Sequence, residues 1–228
     1  MNANDAPPEA APAPSETQDF DASSSRTAVD VAATWVSGIL HPLVMPLATL
    51  ALLLATDGVL EVRLGLFSYL FVLLFINTLA PAVSLAMLKR RGVISDVDIR
   101  NRAERPLPFL IVLAYYLMAY AVVAMGESVV VPLFYRQVLL ALVVAIATAW
   151  VLTLRFKVSM HMMAQGGIMG VFLRVTWLQP VVDLTWASVL VLSAGLVGWS
   201  RLQLGAHTPR EVYAGYAVGV ASVLAVLF

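Results

Sequence analysis

The chain has 228 residues, 61% of them apolar and 12% charged, with a formal net charge of zero. So apolar a composition excludes an ordinary soluble domain, and the charge balance gives no basic surplus for nucleic acid. Cysteine is absent, which excludes disulfides, thiolate catalysis and cysteine-held metals or clusters, and three histidines are too few for a dedicated His-rich metal site.

Residues 1–30 are rich in Ala, Pro, Ser and acids and read as a disordered tail. They carry Asp5, Glu9, Glu16, Asp19, Asp21 and Asp30 against one base, Arg26. The tail has neither the basic start nor the early apolar core of a secretory signal, so the first membrane segment is expected to stay in the mature protein. Residues 31–228 form the second expected unit, a transmembrane domain.

Apolar spans follow at 33–56, 65–88, 107–125, 137–154, 160–175, 183–199 and 209–228. Helices satisfy their backbone locally in lipid, and the short alternating segments of a barrel are missing. The expected fold is therefore all-α, a polytopic bundle of six or seven transmembrane helices. The span at 160–175 is the weakest, since it contains Gln165 and ends at Arg174. His41 beside Pro42 reads as a packed or kink-associated histidine, and Asn77, Thr78 and Pro81 as packing and kink residues. Gly166, Gly167 and Gly170 read as sites of close helix packing.

Counting spans places the loops 89–106, 155–159 and 200–208 on one face, with the tail. Three polar clusters meet there: Lys89 to Pro106, Arg155 to His161, and Ser200 to Glu211. Ionisable residues beside hydrocarbon are costly to keep, so the clusters are a candidate site. In the third, Arg201 can hold phosphate oxygens, His207 can attack phosphorus, and Glu211, four residues on, can fix the imidazole. Thr208-Pro209-Arg210-Glu211 is also a capping box with Pro at the first helical position. Arg100, Arg102 and Arg105 make a compact anion cradle, Ser159 caps the helix that begins at Met160, and His161 falls in its first turn.

These clusters, in this order, resemble the type 2 phosphatidic acid phosphatase superfamily, which includes the vanadium haloperoxidases. The family pattern is K-x6-R-P, then P-S-G-H, then S-R-x5-H-x3-D, and the resemblance covers roughly residues 89–228. Ser200, Arg201 and His207 match the third motif, with Glu211 for its Asp. Ser159 and His161 match the second, with Val158 and Met160 in place of Pro and Gly. Arg105-Pro106 match the first, but Asp98 stands where Lys is expected, and Arg100 or Arg102 is expected to supply the missing charge. The resemblance implies His207 as a nucleophile that forms a phosphohistidine, Glu211 as its orienter and His161 as the proton carrier. It implies Arg105, Arg201 and Ser159 as holders of the phosphoryl oxygens. Lys157 and Ser200 join them as phosphate-binding candidates. No metal or other cofactor is required.

The function expected from this pattern is an integral membrane lipid phosphatase acting on a lipid phosphomonoester or diphosphate. The alternative is a non-catalytic lipid-phosphate binder or scaffold on the same fold. The expected partners are a lipid phosphate and membrane lipids, with no nucleic acid; the oligomeric state stays open. The expected location is a bacterial inner membrane. Basic residues concentrate on the motif face, which leans cytoplasmic by the positive-inside rule, while the family resemblance pulls towards the outer face.

Overall fold

The computed structural model describes residues 27–56, 63–126, 131–178 and 182–228. The expected tail, apart from its last four residues, lies outside them, as do 57–62, 127–130 and 179–181 of the loops on the far face. The described residues are 81% helical and contain no strand. Among the described residues, four helices are long and apolar enough to cross a membrane: Phe67–Arg90, Pro106–Met125, Leu133–Thr153 and Pro209–Leu227.

The first helix, α1 (Ala28–Ile39), begins inside the expected tail. Thr27 caps it reciprocally with Asp30, so residues 28–30 are helical rather than part of the tail. The expected span at 33–56 is also two helices, not one. The chain breaks at Leu40–Val44 before α2 (Met45–Thr56). Pro42 has no N–H to give a helix and disfavours helical geometry at His41. Twelve residues rise about 18 Å, well short of a hydrocarbon core of about 30 Å.

The next span runs through α3 (Arg63–Phe71), a π-helical stretch (Val72–Leu79) and α4 (Ala80–Arg90). Pro81 withholds the N–H that would meet the Asn77 carbonyl, and Thr78 Oγ1 donates 2.9 Å to the Leu73 carbonyl, so the ladder widens there. Thr78 Oγ1 also lies 2.9 Å from the Leu43 carbonyl, tying the span to the α1–α2 break. A loop with one 3₁₀ turn (Arg102–Glu104) leads to α5 (Pro106–Met125), which packs against α6 (Leu133–Thr153).

Three helices complete the bundle: α7 (Met160–Trp177), α8 (Leu184–Gln203) and α9 (Pro209–Leu227). Of these, α7 and α9 lie parallel and very close. Ser159 N–H donates 3.1 Å to the Glu211 carbonyl at one end, and Arg174 Nε donates 2.7 Å to the Leu227 carbonyl at the other. Between these ends a Cβ on Gly166 would overlap the Tyr216 carbonyl, and one on Gly219 the Met163 carbonyl. The glycines thus permit helix contact that a methyl group would prevent. α8 runs back antiparallel to them and packs on α1 and α7. This arrangement brings the N-termini of α7 and α9 and the C-terminus of α8 to one end of the bundle.

Candidate functional site

The S-R-x5-H spacing has a local cause. α8 ends at Gln203 with Leu204 as its cap, and Gly205 adopts a left-handed φ of +58°, where it escapes the Cβ penalty other residues meet. The chain then folds back, and the N–H groups of Ala206 and His207 both donate to the Arg201 carbonyl, at 3.1 and 3.3 Å. His207 is thereby delivered beside the start of α9. Its Nδ1 lies 2.8 Å from Glu211 Oε2, the same oxygen that accepts the Thr208 N–H at 3.3 Å. Glu211 therefore caps α9 and orients the imidazole at once. A carboxylate only accepts, so Nδ1 carries the proton and Nε2 keeps its lone pair.

Three cations surround this pair. Lys157 Nζ stands 3.9 Å from Glu211 Oε2 and donates 2.9 Å to the Ala206 carbonyl. Arg105, 1% exposed, donates from Nε to the Ile99 carbonyl and from Nη1 to the Val158 carbonyl, both at 2.9 Å. Ile99 has φ +47°, an uncommon conformation for a β-branched residue, and this strained turn aims its carbonyl at Arg105. Burial lowers the pKa of Arg105 to about 10, so it stays charged at neutral pH. Burial also lowers that of His207, to about 4; the Glu211 hydrogen bond opposes this, and Arg105, Arg201 and Lys157 reinforce it.

Arg201, also 1% exposed, sits deeper. Its Nη1 donates to Ser37 Oγ and, at 2.9 Å, to Asp98 Oδ2. Its Nε is buried with no hydrogen-bond partner, and so is Ser200 Oγ. Burial pushes the Asp98 carboxyl up, but Arg201 and the neighbouring histidines outweigh it and the net shift is downward. Two carboxylates thus face three cations, a surplus that suits an anionic ligand. His161, 4% exposed, has Nε2 3.2 Å from both the hydroxyl and the carbonyl oxygen of Ser37. Ser159 Oγ accepts the Met162 N–H at 3.4 Å as the cap of α7.

Not every expected residue joins this group. Arg100 pairs with Asp96 at 3.2 Å, and Arg102 donates 3.0 Å to the Leu154 carbonyl; both are exposed. Lys157, rather than either arginine, stands beside Glu211. His41, expected as a packing residue, lies in the site: its ring meets that of His161 edge-on at 5.2 Å, and its Nε2 is 3.9 Å from Asp98 Oδ1. Among the described residues, His41, Asp98 and His161 are the group whose donor atoms could reach a common metal ion. The signal for His41 was in the sequence, as a His-Pro dipeptide interrupting an apolar run, but its partners lie 57 and 120 residues away.

Comparison with family models, curated proteins and solved structures gives no match. The chemistry is therefore argued from the site itself. A histidine with an oriented free Nε2, ringed by cations, can attack an electrophile that carries negative charge. An apolar cavity opens from His41, Asp98 and His161 and runs over Val112 and Tyr116. A second cavity shares Pro42, Tyr116, Ile146 and Met160 with the first and continues to Val171 and Val223, inside the bundle.

Proposed function

We propose that this protein is an integral membrane lipid phosphatase that works through a phosphohistidine, on a bundle with six or seven spans in a bacterial inner membrane. The observation that carries the reading is the His207–Glu211 pair, 2.8 Å apart, within the field of Arg105, Lys157 and Arg201. In this reading His207 Nε2 attacks phosphorus, and the bond from phosphorus to the leaving alkoxide breaks. His161, the proton carrier implied by the family resemblance, protonates that alkoxide. Water then returns a proton to His161 as its oxygen attacks the phosphohistidine; the bond from phosphorus to Nε2 breaks, inorganic phosphate leaves and His207 is freed. A loose phosphoryl transition state spreads charge over its equatorial oxygens, so positioned cations supply most of the stabilisation.

The apolar cavity beside His161 and Asp98, the partner of Arg201, supports a lipid substrate, since a hydrocarbon chain has room there. The test is phosphate release by the purified protein from a panel of lipid phosphomonoesters and diphosphates, beside a His207→Ala control. Release that is lost in the control supports the proposal. Binding of a lipid phosphate without any turnover would favour the non-catalytic binder.

A further inference from the structure

Three groups that belong to no matched motif residue converge on Arg201 and His161. Ser37 comes from the last turns of α1, His41 from the α1–α2 break, and Asp98 from the loop before α5, at the position where the family pattern has lysine. Ser37 Oγ and Asp98 Oδ2 both accept from Arg201 Nη1, and the Ser37 carbonyl accepts from His161 Nε2. His41 stands against the other oxygen of Asp98 and against the His161 ring.

We propose that Ser37, His41 and Asp98 form a positioning clamp for Arg201, which fixes its guanidinium so that the free Nε edge meets a phosphoryl group. A guanidinium is a rigid planar fork, so anchoring Nη1 on one side sets the direction of the Nε–Nη2 edge on the other. That edge can grip two phosphate oxygens at once. The unpartnered Nε of Arg201 and the unpartnered Ser200 hydroxyl beside it in sequence are the groups such a ligand would satisfy. The α1 helix, which carries Ser37, is also tied to α8, which carries Arg201, by a hydrogen bond of 3.0 Å from Gln203 Nε2 to Asp30 Oδ1.

The same cluster has a metal-binding donor set, with His41, Asp98 and His161 atoms within 4.8 Å of one another. Two details oppose that use. Arg201 occupies Asp98 Oδ2 and would place its charge beside a bound cation. The Leu43 N–H donates to His41 Nδ1 at 3.3 Å, so the neutral ring carries its proton on Nε2, where the metal would need a lone pair.

The clamp rests on the proposed phosphate site, so its test separates the two. The full-length protein in lipid nanodiscs is titrated calorimetrically with orthovanadate as the phosphoryl mimic, and folding of each variant is checked by its melting curve. The wild type should bind, and Arg201→Ala should not. His41→Ala and Ser37→Ala should weaken binding on the order of tenfold, the first by freeing Asp98 to shift and the second by removing an acceptor of Arg201 Nη1. His41→Gln, which places an amide N–H near Asp98, should recover most of it. Wild-type-like binding by a folded His41→Ala, with none by Arg201→Ala, overturns the clamp and leaves the phosphate site standing. Absence of binding by the wild type overturns the phosphate site and the clamp together. Micromolar Zn²⁺ binding that His41→Gln abolishes overturns the clamp in favour of a metal centre.

Discussion

The carboxylate of Glu211 lies 2.8 Å from His207 Nδ1 while also accepting the N–H of Thr208, so one side chain holds both a helix start and an imidazole. Glu211→Gln should preserve the helix, because an amide oxygen can still accept from Thr208. It should lower turnover by at least tenfold, because the Nδ1 proton loses its charged acceptor. His207→Ala should remove phosphate release altogether. Circular dichroism and single-turnover kinetics check the two effects separately; a Glu211→Gln variant with full turnover would break the assignment.

In the proposed mechanism His207 should set the acid limit. Burial leads the depression of its pKa to about 4, so Nε2 keeps its lone pair from neutral pH down to that value. Phosphohistidine formation should therefore persist through pH 6.5, the ordinary histidine value, and fall only as the pH drops through about 4. Acid-quench rates between pH 3 and 7 measure the limb. A limb near 6.5 would mean that the imidazole is solvated rather than buried.

The cations should not be equivalent. Arg105 is buried and Lys157 faces Glu211, whereas Arg100 is exposed and paired with Asp96. Arg105→Ala and Lys157→Met should each reduce kcat/KM on the order of tenfold or more, in line with about 1.5–3 kcal/mol for a charged contact. Arg100→Ala should change it less than twofold, since exposed pairs contribute little. Equal losses at all three positions would show that only bulk charge matters.

Close packing of α7 and α9 should be the most mutation-sensitive part of the fold. A methyl group on Gly219 overlaps the Met163 carbonyl, so Gly219→Ala must part the two helices. The expected cost is about 1–3 kcal/mol or more. Gly195→Ala in α8, where the added carbon meets nothing within 4 Å, is the control and should be near neutral. Thermal unfolding in detergent compares them.

Orientation is testable from the parallel course of α7 and α9. The motif residues cluster at their N-termini, and the C-terminus at Phe228 lies at the opposite end, near Trp177. With bases concentrated on the motif side, an alkaline phosphatase fused after Phe228 should be exported and active. A silent fusion would place the site on the outer face.

By itself the sequence determined the helical class, from apolar run length. It also determined the His207–Glu211 pair, because the capping box turns Glu211 back over Thr208, within reach of the residue just before the cap. The capping of α7 by Ser159 was legible for the same reason of short range, whereas the glycines of α7 signalled close packing without naming Tyr216 and Gly219 of α9 as its partners. Tertiary structure decided the rest. The run at 33–56 looked continuous because hydropathy does not register the missing N–H of Pro42, yet the break there is what carries His41 to the site. Arg100, Arg102 and Lys157 looked interchangeable as charges along the chain. Only the packing of the 154–158 turn against α9 put Lys157 beside Glu211, and only the strained turn at Ile99 turned Arg105 inwards. Asp98 read as a lost lysine because its partners, Arg201 and His41, lie 103 and 57 residues away, and charge pairing at that separation is a property of the fold.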